Sequence, residues 1–318
     1  MSRHKQIDLR RVKTISIRGR KSKVQLHDFA QVFDPEKLSF SGFVSSLPHV
    51  LVADDLRAFV GDVLNSVKRK KPIIAMLGAH VVKVGLGPLI VDLVEKKILT
   101  CVALNSAATI HDVEIAMWGK TSEDVEENIL DGKFRMSRET GEFINRRLTA
   151  EFKRGKRGYG EVLGAALQNA PNADVSIIAA CYRRKIPATV HTAIGTDIIH
   201  QQPSMNGAAT GELTFRDFKV LCDAVKDLRG GGVVMNIGSA VVLPEVFLKA
   251  LTVARNLGYQ AKGFTTANFD MIQHYRPRMN VVQRPTRNGG RGYLFTGHHE
   301  IMLPLVCAMI KDRLSAKS

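Results

Sequence analysis

Short apolar runs alternate along the chain with longer stretches in which apolar residues return at three- and four-residue spacing. A parallel sheet with helices on both faces writes that alternation into a sequence. Five runs read as strands: Ile73 to Leu77, Leu99 to Leu104, Ala188 to His191, Gly232 to Met235 and Ala261 to Phe264. They are short and mostly apolar, as strands covered on both faces must be. Between them the spacing predicts helices. In Asp54 to Lys68, Leu56, Phe59, Val60, Val63, Leu64 and Val67 share one face. Pro88 opens a helix over Leu89 to Lys97, since proline suits a first turn. Further helices are expected over His111 to Trp118, Ser122 to Leu130, Glu139 to Lys153, Gly160 to Asn169, Thr214 to Leu228, Pro244 to Leu257 and Glu300 to Arg313. The expected fold class is α/β, a Rossmann-like parallel sheet.

Gly155 to Gly160 and Gln283 to Arg291 read as polar, glycine-containing loops, too short to divide domains. No repeat or low-complexity tract interrupts the pattern. The simplest organisation is a basic extension over residues 1–23 and one α/β domain over residues 24–318.

Charge changes the picture at that extension. The chain of 318 residues carries a net +16. Nine of its cations (Arg3, Lys5, Arg10, Arg11, Lys13, Arg18, Arg20, Lys21 and Lys23) lie in the first 23 residues against one acid, Asp8. Lys68 to Lys71 and Lys153 to Arg157 add further basic clusters. Such a surface attracts polyanions, nucleic acid included, without specifying which. Aromatic residues are 6% of the chain and none interleaves with the basic runs, which disfavours a single-strand stacking platform. No run reaches the ~20 apolar residues of a membrane span, and the N-terminus lacks the apolar core of a secretory signal. Cys101, Cys181, Cys222 and Cys307 lie far apart among apolar neighbours, as buried, reduced thiols of a cytoplasmic protein do.

Candidate chemistry belongs after the strands, because open α/β sheets bind ligands beyond their carboxyl ends. There the chain places Gly78 to His80 with Gly85 to Gly87, then Asn105 to Asp112, Thr192 to Asp197, Asn236 to Ala240 and Thr265 to Asp270. Small and hydroxyl residues at five strand ends let backbone N–H groups and helix N-termini approach a phosphate. The expected cofactor contacts are Gly85, Asn105, Ser106, Thr109, Gly195, Thr196, Asp197, Gly238, Ser239, Thr265 and Thr266. Neither the common dinucleotide glycine fingerprint nor a P-loop is present. His111, Asp112 and Asp270 are the candidate catalytic groups. His298-His299-Glu300 opens the last predicted helix; adjacent histidines diverge and no third ligand is visible, so a capping or polar-site role is favoured over a metal. His80 and His191 read as buried, hydrogen-bonded residues.

In order and spacing these strand-end motifs resemble the deoxyhypusine synthase family, over roughly Lys71 to Lys311. His80 to Leu86 looks like the family's segment before its first crossover helix, and Asn105 to Asp112 like its acidic turn. Ala179 to Gly195, with Tyr182, Ile186-Pro187 and Ala193-Ile194, is similar to its middle pocket segment. Gly238-Ser239-Ala240 stands where the family has three glycines. Thr265 to Ala267 with Asp270 and Arg276-Pro277 fall on its late signature. The resemblance implies an NAD-binding sheet, with His298 at the position that holds the cofactor's ribose, and a homotetramer with sites across subunit interfaces. It also implies transfer of an aminobutyl group from spermidine to a protein lysine, through an imine on an active-site lysine.

The reaction positions depart from that pattern. Aligned on Arg276-Pro277, the family's tryptophan and lysine fall on Gln283 and Pro285, and proline forms no imine. The paired carboxylates fall on Ile110 and His111, leaving Asp112. The ribose aspartate falls on His298, the expected late acids on Arg278 and Met279, and the histidine after the glycines within Leu243-Pro244-Glu245. Lys83 or Lys262 is available as a substitute nucleophile, without a motif that selects either. The expectation is an NAD- or nucleotide-binding protein with transferase or oxidoreductase chemistry on another small molecule, an amine among the candidates and less cationic than spermidine because the acidic pocket is depleted, not a maker of deoxyhypusine. The alternative is a non-catalytic nucleotide-binding or scaffold protein with a polyanion-binding surface. The apolar last helix (Ile301, Met302, Leu305, Val306, Met309, Ile310) supports an oligomer.

Overall fold

The computed structural model describes residues 3–122 and 137–316. The chain groups into two units, Met1–Asp54 and Asp55–Ser318. In the first, three single 3₁₀ turns (Leu9–Arg11, Ile17–Gly19 and Leu26–Asp28) precede α1 (Phe40–Ser46). Its turns close on local side chains: Asp8 accepts from the Arg10 N–H at 3.0 Å and Ser16 from the Arg18 N–H at 3.2 Å. Phe33 and Phe43 meet edge to face at 5.4 Å. Residues 3–23 bury no side chain.

The second unit is built on six parallel strands: β1 (Ile73–Leu77), β2 (Cys101–Asn105), β3 (Ala188–His191), β4 (Val233–Ile237), β5 (Thr265–Asp270) and β6 (Arg291–Thr296). Their order is β3-β2-β1-β4-β5-β6. The helices are α2 (Leu51–Lys68), α3 (Ala79–Lys83), α4 (Gly87–Glu95), α5 (Ser106–Trp118), α6 (Arg138–Arg154), α7 (Tyr159–Ala166), α8 (Ile177–Arg184), α9 (Gly207–Lys226), α10 (Val242–Asn256) and α11 (His299–Ser315). A π-helical segment, Pro277–Gln283, and one helical turn, Arg284–Thr286, join β5 to β6. The helix expected over Ser122 to Leu130 lies, beyond its first residue, outside the described residues.

Each face of the sheet has its own core. On one, Ile74, Met76 and Val234 pack with Leu221 and Val225 of α9 and Phe247 and Leu251 of α10. On the other, Phe59 of α2 sits 5.6 Å from both Phe269 and Phe295 and 5.9 Å from Tyr293. Burying a ring such as Phe59 contributes about 1.5–3 kcal/mol. Cys101, Cys181 and Cys307 are buried free thiols; Cys222 is half-buried.

Three expectations need correction. The strand expected over Ala261 to Phe264 lies four residues later: Ala261 and Phe264 are core residues leading into β5, and Thr265–Asp270 is the strand. Two of its polar side chains, Thr265 and Asn268, are buried against partners from other elements. The Thr265 hydroxyl donates to Asp62 of α2 at 2.9 Å, and Asn268 accepts from Asn236 of β4 at 2.7 Å. Hydropathy along one strand does not register such cross-element pairs. Second, β6 was not anticipated, although Tyr293 and Phe295 are buried at the strand period of two, on either side of half-buried Leu294. Third, α5 begins at Ser106 rather than His111, because the Asn105 side chain caps it, accepting from the Ala108 N–H at 2.8 Å. α8 was likewise unanticipated; it is capped by Ser176.

Among the described residues no helix is long and apolar enough to cross a membrane. Nor does any group of three or more His, Cys, Asp or Glu side chains among them stand ready to hold a metal.

Candidate functional site

The strand order reverses between β1 and β4, so the crevice beyond their carboxyl ends is where this topology leaves room for a ligand. Two loops meet there. Gly78 follows β1, and its N–H donates to the Ile237 carbonyl at 2.8 Å. A Cβ on Gly78 would stand 1.9 Å from the Gly238 carbonyl oxygen, so the approach requires glycine. Gly238 follows β4 in the left-handed region, φ +67°. Its N–H donates to the Phe269 carbonyl at 3.0 Å.

His299, the first residue of α11, closes this crevice. Its Nε2 lies 3.2 Å from the same Phe269 carbonyl, and its ring lies 5.6 Å from that of half-buried His80. A carbonyl oxygen only accepts, so the contact assigns the proton to Nε2 and leaves Nδ1 an acceptor. That Nδ1 is buried and has no partner among the described residues. Burial holds the imidazole below its usual pKa, which keeps it neutral. Beneath it, the Asn236 amide donates to the Ser239 carbonyl at 2.9 Å and to Asn268 at 2.7 Å, while its own oxygen lacks a partner among the described residues.

Beside β2 and β3 a cleft of about 760 Å³ opens, lined by Lys83, His111, Glu114, Thr140, Thr196 and Asp197 among others. One face of α5 supplies its chemistry. Thr121 donates to Glu114 Oε2, and the His111 Nδ1–H donates to the same threonine oxygen at 2.6 Å. Thr140 donates to Glu114 Oε1 at 3.1 Å. Burial pushes the Glu114 carboxyl up, yet bonds from His111, Thr121 and Thr140 outweigh it and hold the group below its usual range. A carboxylate thus orients a hydroxyl, and the hydroxyl accepts from Nδ1, so that in the neutral imidazole the lone pair lies on Nε2. That is how a general base is prepared. Across the cleft, Ser106 donates to Asp197 Oδ2. The turn bearing Asp197 wraps His200, whose Nδ1 accepts from the Gly195 and Asp197 N–H groups, each at 3.1 Å.

The candidate residues therefore separate. His111, Thr196 and Asp197 line the cleft and Ser106 reaches into its wall through Asp197; Gly195 shapes the turn. Gly238 and Ser239 flank the crevice, and Asp270 ends β5 beside it, accepting from the Met271 N–H at 2.8 Å. Several are structural. Asp112 is buried and accepts from the Ser176 hydroxyl and the Ile177 and Ile178 N–H groups, capping α8 rather than facing the cleft; burial outweighs those bonds and pushes it up to about 6. Asn105 caps α5, Thr109 is buried within it, and Gly85 ends α3 at φ +78°. Thr265 and Thr266 start β5 at the amino edge, the far end of the strand from the crevice.

His298 is exposed; the buried histidine of the pair is its neighbour, which sequence reasoning passed over. His191 is buried against Thr189, and burial pulls it down to about 3. Gly78 and His299 were named only within a strand-end loop and a histidine cluster, without a contact assigned to either; Glu114 was missed, since a position three residues after His111 signals only helical adjacency. Of the two unselected lysines, Lys83 lines the cleft and Lys262 lies at the amino edge, its carbonyl accepting from the Gly230 N–H. Pro285 is buried in the turn before β6.

No family model matches the chain and no curated protein matches its sequence. Solved structures do match. An LOR/SDH-type protein from Methanococcus maripaludis S2 aligns at TM-score 0.53 and 15% identity, over 82% of this chain and 70% of that one. AgrE, solved as a ternary complex with ornithine and NAD+, aligns at 0.53 and 11%, over 83% of this chain and 33% of AgrE. The fold is Rossmann-like α/β. At such identities the likeness extends to fold alone, and the chain spans about a third of the length of AgrE. A protein assigned as a deoxyhypusine synthase from Entamoeba histolytica aligns at 0.49 and 11%, over 88% and 96% of the two chains, a score from which nothing is drawn.

Proposed function

We propose that this protein is a divergent relative of the deoxyhypusine synthases that binds NAD across the β1–β4 crevice. It would act on a small molecule, an amine for preference, held in the cleft beside α5. The carrying observation is the adjacency of two prepared features: a backbone contact that tolerates only glycine, and a cleft whose imidazole is fixed as a base. The residues suit a dinucleotide. The Gly78–Gly238 contact holds the two strand-end loops together at the point where strand order reverses, and the open acceptor on His299 is what a ribose hydroxyl satisfies. NAD would supply hydride acceptance. The chain's own part is to orient substrate between Asp197 and Glu114 and to take a proton at His111 Nε2. Acids on the cleft wall favour a cationic substrate. Lys83 at the rim stands where a nucleophilic amine would be needed, without a neighbour that marks it as one.

Thermal unfolding with and without NAD+ and NADH tests the reading. Ligand at about 100 times its dissociation constant stabilises by about 2.7 kcal/mol. The shift should be present in the native chain and in His111→Ala, and lost or much reduced in His299→Ala. No shift with either form would leave the protein a scaffold.

A further inference from the structure

The opposite end of the sheet bears a second concave site. Turns from three places in the sequence close on a groove of about 620 Å³ at the amino edge. Lys70 and Lys71 precede β1, Lys226 and Arg229 precede β4, and Tyr259 follows α10; Asp227 is the acid among its lining residues. Lys70, Lys71 and Arg229 form no ion pair among the described residues. Lys226 pairs with Asp223, and its ammonium stands 5.7 Å from the Tyr259 ring.

A cation near a helix C-terminus ordinarily serves the helix dipole, and any position in the last turn will do. Lys70 is placed differently. It adopts φ +52° just past α2, with its N–H donating to the Val67 carbonyl at 3.1 Å and the Lys71 N–H to that of Ser66 at 2.9 Å. Glycine is the usual residue in such a position, and a side chain there costs about 1 kcal/mol. The strain sets an ammonium on the groove's rim, and Lys97 and Lys185 repeat the arrangement before β2 and β3. Tyr259 is 46% exposed. Gly230 and Gly258, which flank the groove, have open space where a side chain would begin.

We propose that this groove binds single-stranded nucleic acid, with phosphates on Lys70, Lys71 and Arg229 and a base stacked on Tyr259. Unpaired cations beside an exposed ring are the elements of single-strand binding, and every base has a face to stack. A duplex offers phosphates but no free base, so the ring favours the single strand. The site is independent of the crevice and cleft.

The full chain is irradiated with an oligouridine carrying 5-bromouridine, and cross-linked peptides are mapped by mass spectrometry. The peptide containing Tyr259 should carry the label; cross-links confined to the first 23 residues would overturn the proposal. Fluorescence anisotropy with a labelled oligouridine supplies the energetics. Lys70→Gly with Arg229→Gln keeps the left-handed backbone and removes two charges, so the slope of log affinity against log salt should fall by about 1.4. Tyr259→Ala should weaken the single strand about ten-fold. An unchanged slope, or equal affinity for a duplex of the same length, would defeat it.

Discussion

The two edges of this sheet are built from opposite uses of glycine. At the carboxyl edge, Gly78 brings two backbones together beneath the buried His299, and the hydrogen-bonded Glu114 lies in the cleft beside β2 and β3. At the amino edge, glycines 230 and 258 open the turns outward, and the groove between them is rimmed by unpaired cations. The crossover connections create the difference. Helices start at the carboxyl edge, presenting free N–H groups, and end at the amino edge, where cations suit the final carbonyls. One topology thus supplies two electrostatically distinct concave surfaces.

The sharpest break would come from chemistry. Radiolabelled spermidine with NAD should leave no covalent aminobutyl adduct, because Pro285 occupies the family's lysine position in a buried turn. An adduct on Lys83, the cleft lysine, would restore the deoxyhypusine synthase reaction; one on Lys262 would shift chemistry to the amino edge.

Next in size is the glycine contrast. Gly78→Ala should cost about 2–3 kcal/mol in denaturant unfolding, since overpacking here pushes on backbone. Gly258→Ala, with open space but φ +90°, should cost about 1 kcal/mol. Equal costs would mean that the carboxyl-edge contact is not tight.

A pH comparison separates structural carboxylates from those of the cleft. Asp217 is buried and accepts from the Gly160 and Val190 N–H groups at 2.9 and 2.7 Å; burial outweighs these bonds and pushes it up to about 7. The unfolded carboxyl titrates near about 3.9. Between those values the native state holds a proton that the unfolded state has released, so this group's contribution falls as pH rises. The stability advantage of the native chain over Asp217→Asn should therefore decline from pH 4 to 7 and level off above. In Glu114→Gln the sign reverses: its depressed carboxyl contributes stability above its unfolded pKa that is lost as pH falls through the folded value.

The smallest effect on folding is expected from deleting residues 1–23, of which the described residues 3–23 bury no side chain. The melting temperature should hardly move, while heparin retention weakens and becomes less dependent on salt. Loss of soluble expression instead would make Ile15 and Ile17 part of a contact. Light scattering should find an oligomer, a tetramer being what the family resemblance implies.

Elements whose burial follows from their own side chains were legible. β1 is apolar throughout, and the helical face of α2 was read from Leu56 to Leu64 without reference to anything it packs on. β5 was misplaced because Thr265 and Asn268 are polar by any scale and are buried with partners elsewhere in the chain. The site divides the same way. Four of the five small-residue segments mark the carboxyl edge, the fifth, Thr265 to Asp270, being β5 itself, and Asp112, which reads as catalytic in the sequence, carries the N-terminus of α8.

What the sequence by itself determined is the class of sheet, its approximate strands and the edge at which small-residue loops gather, because periodicity and chain direction are properties of consecutive residues. Only the tertiary structure decided which histidine faces inward, that Glu114 steadies His111 through Thr121, and that Lys70, Arg229 and Tyr259 share one groove. Those facts depend on distances between residues far apart in the chain or on the rotation of a helix about its axis. Neither quantity is encoded in any local run of residues.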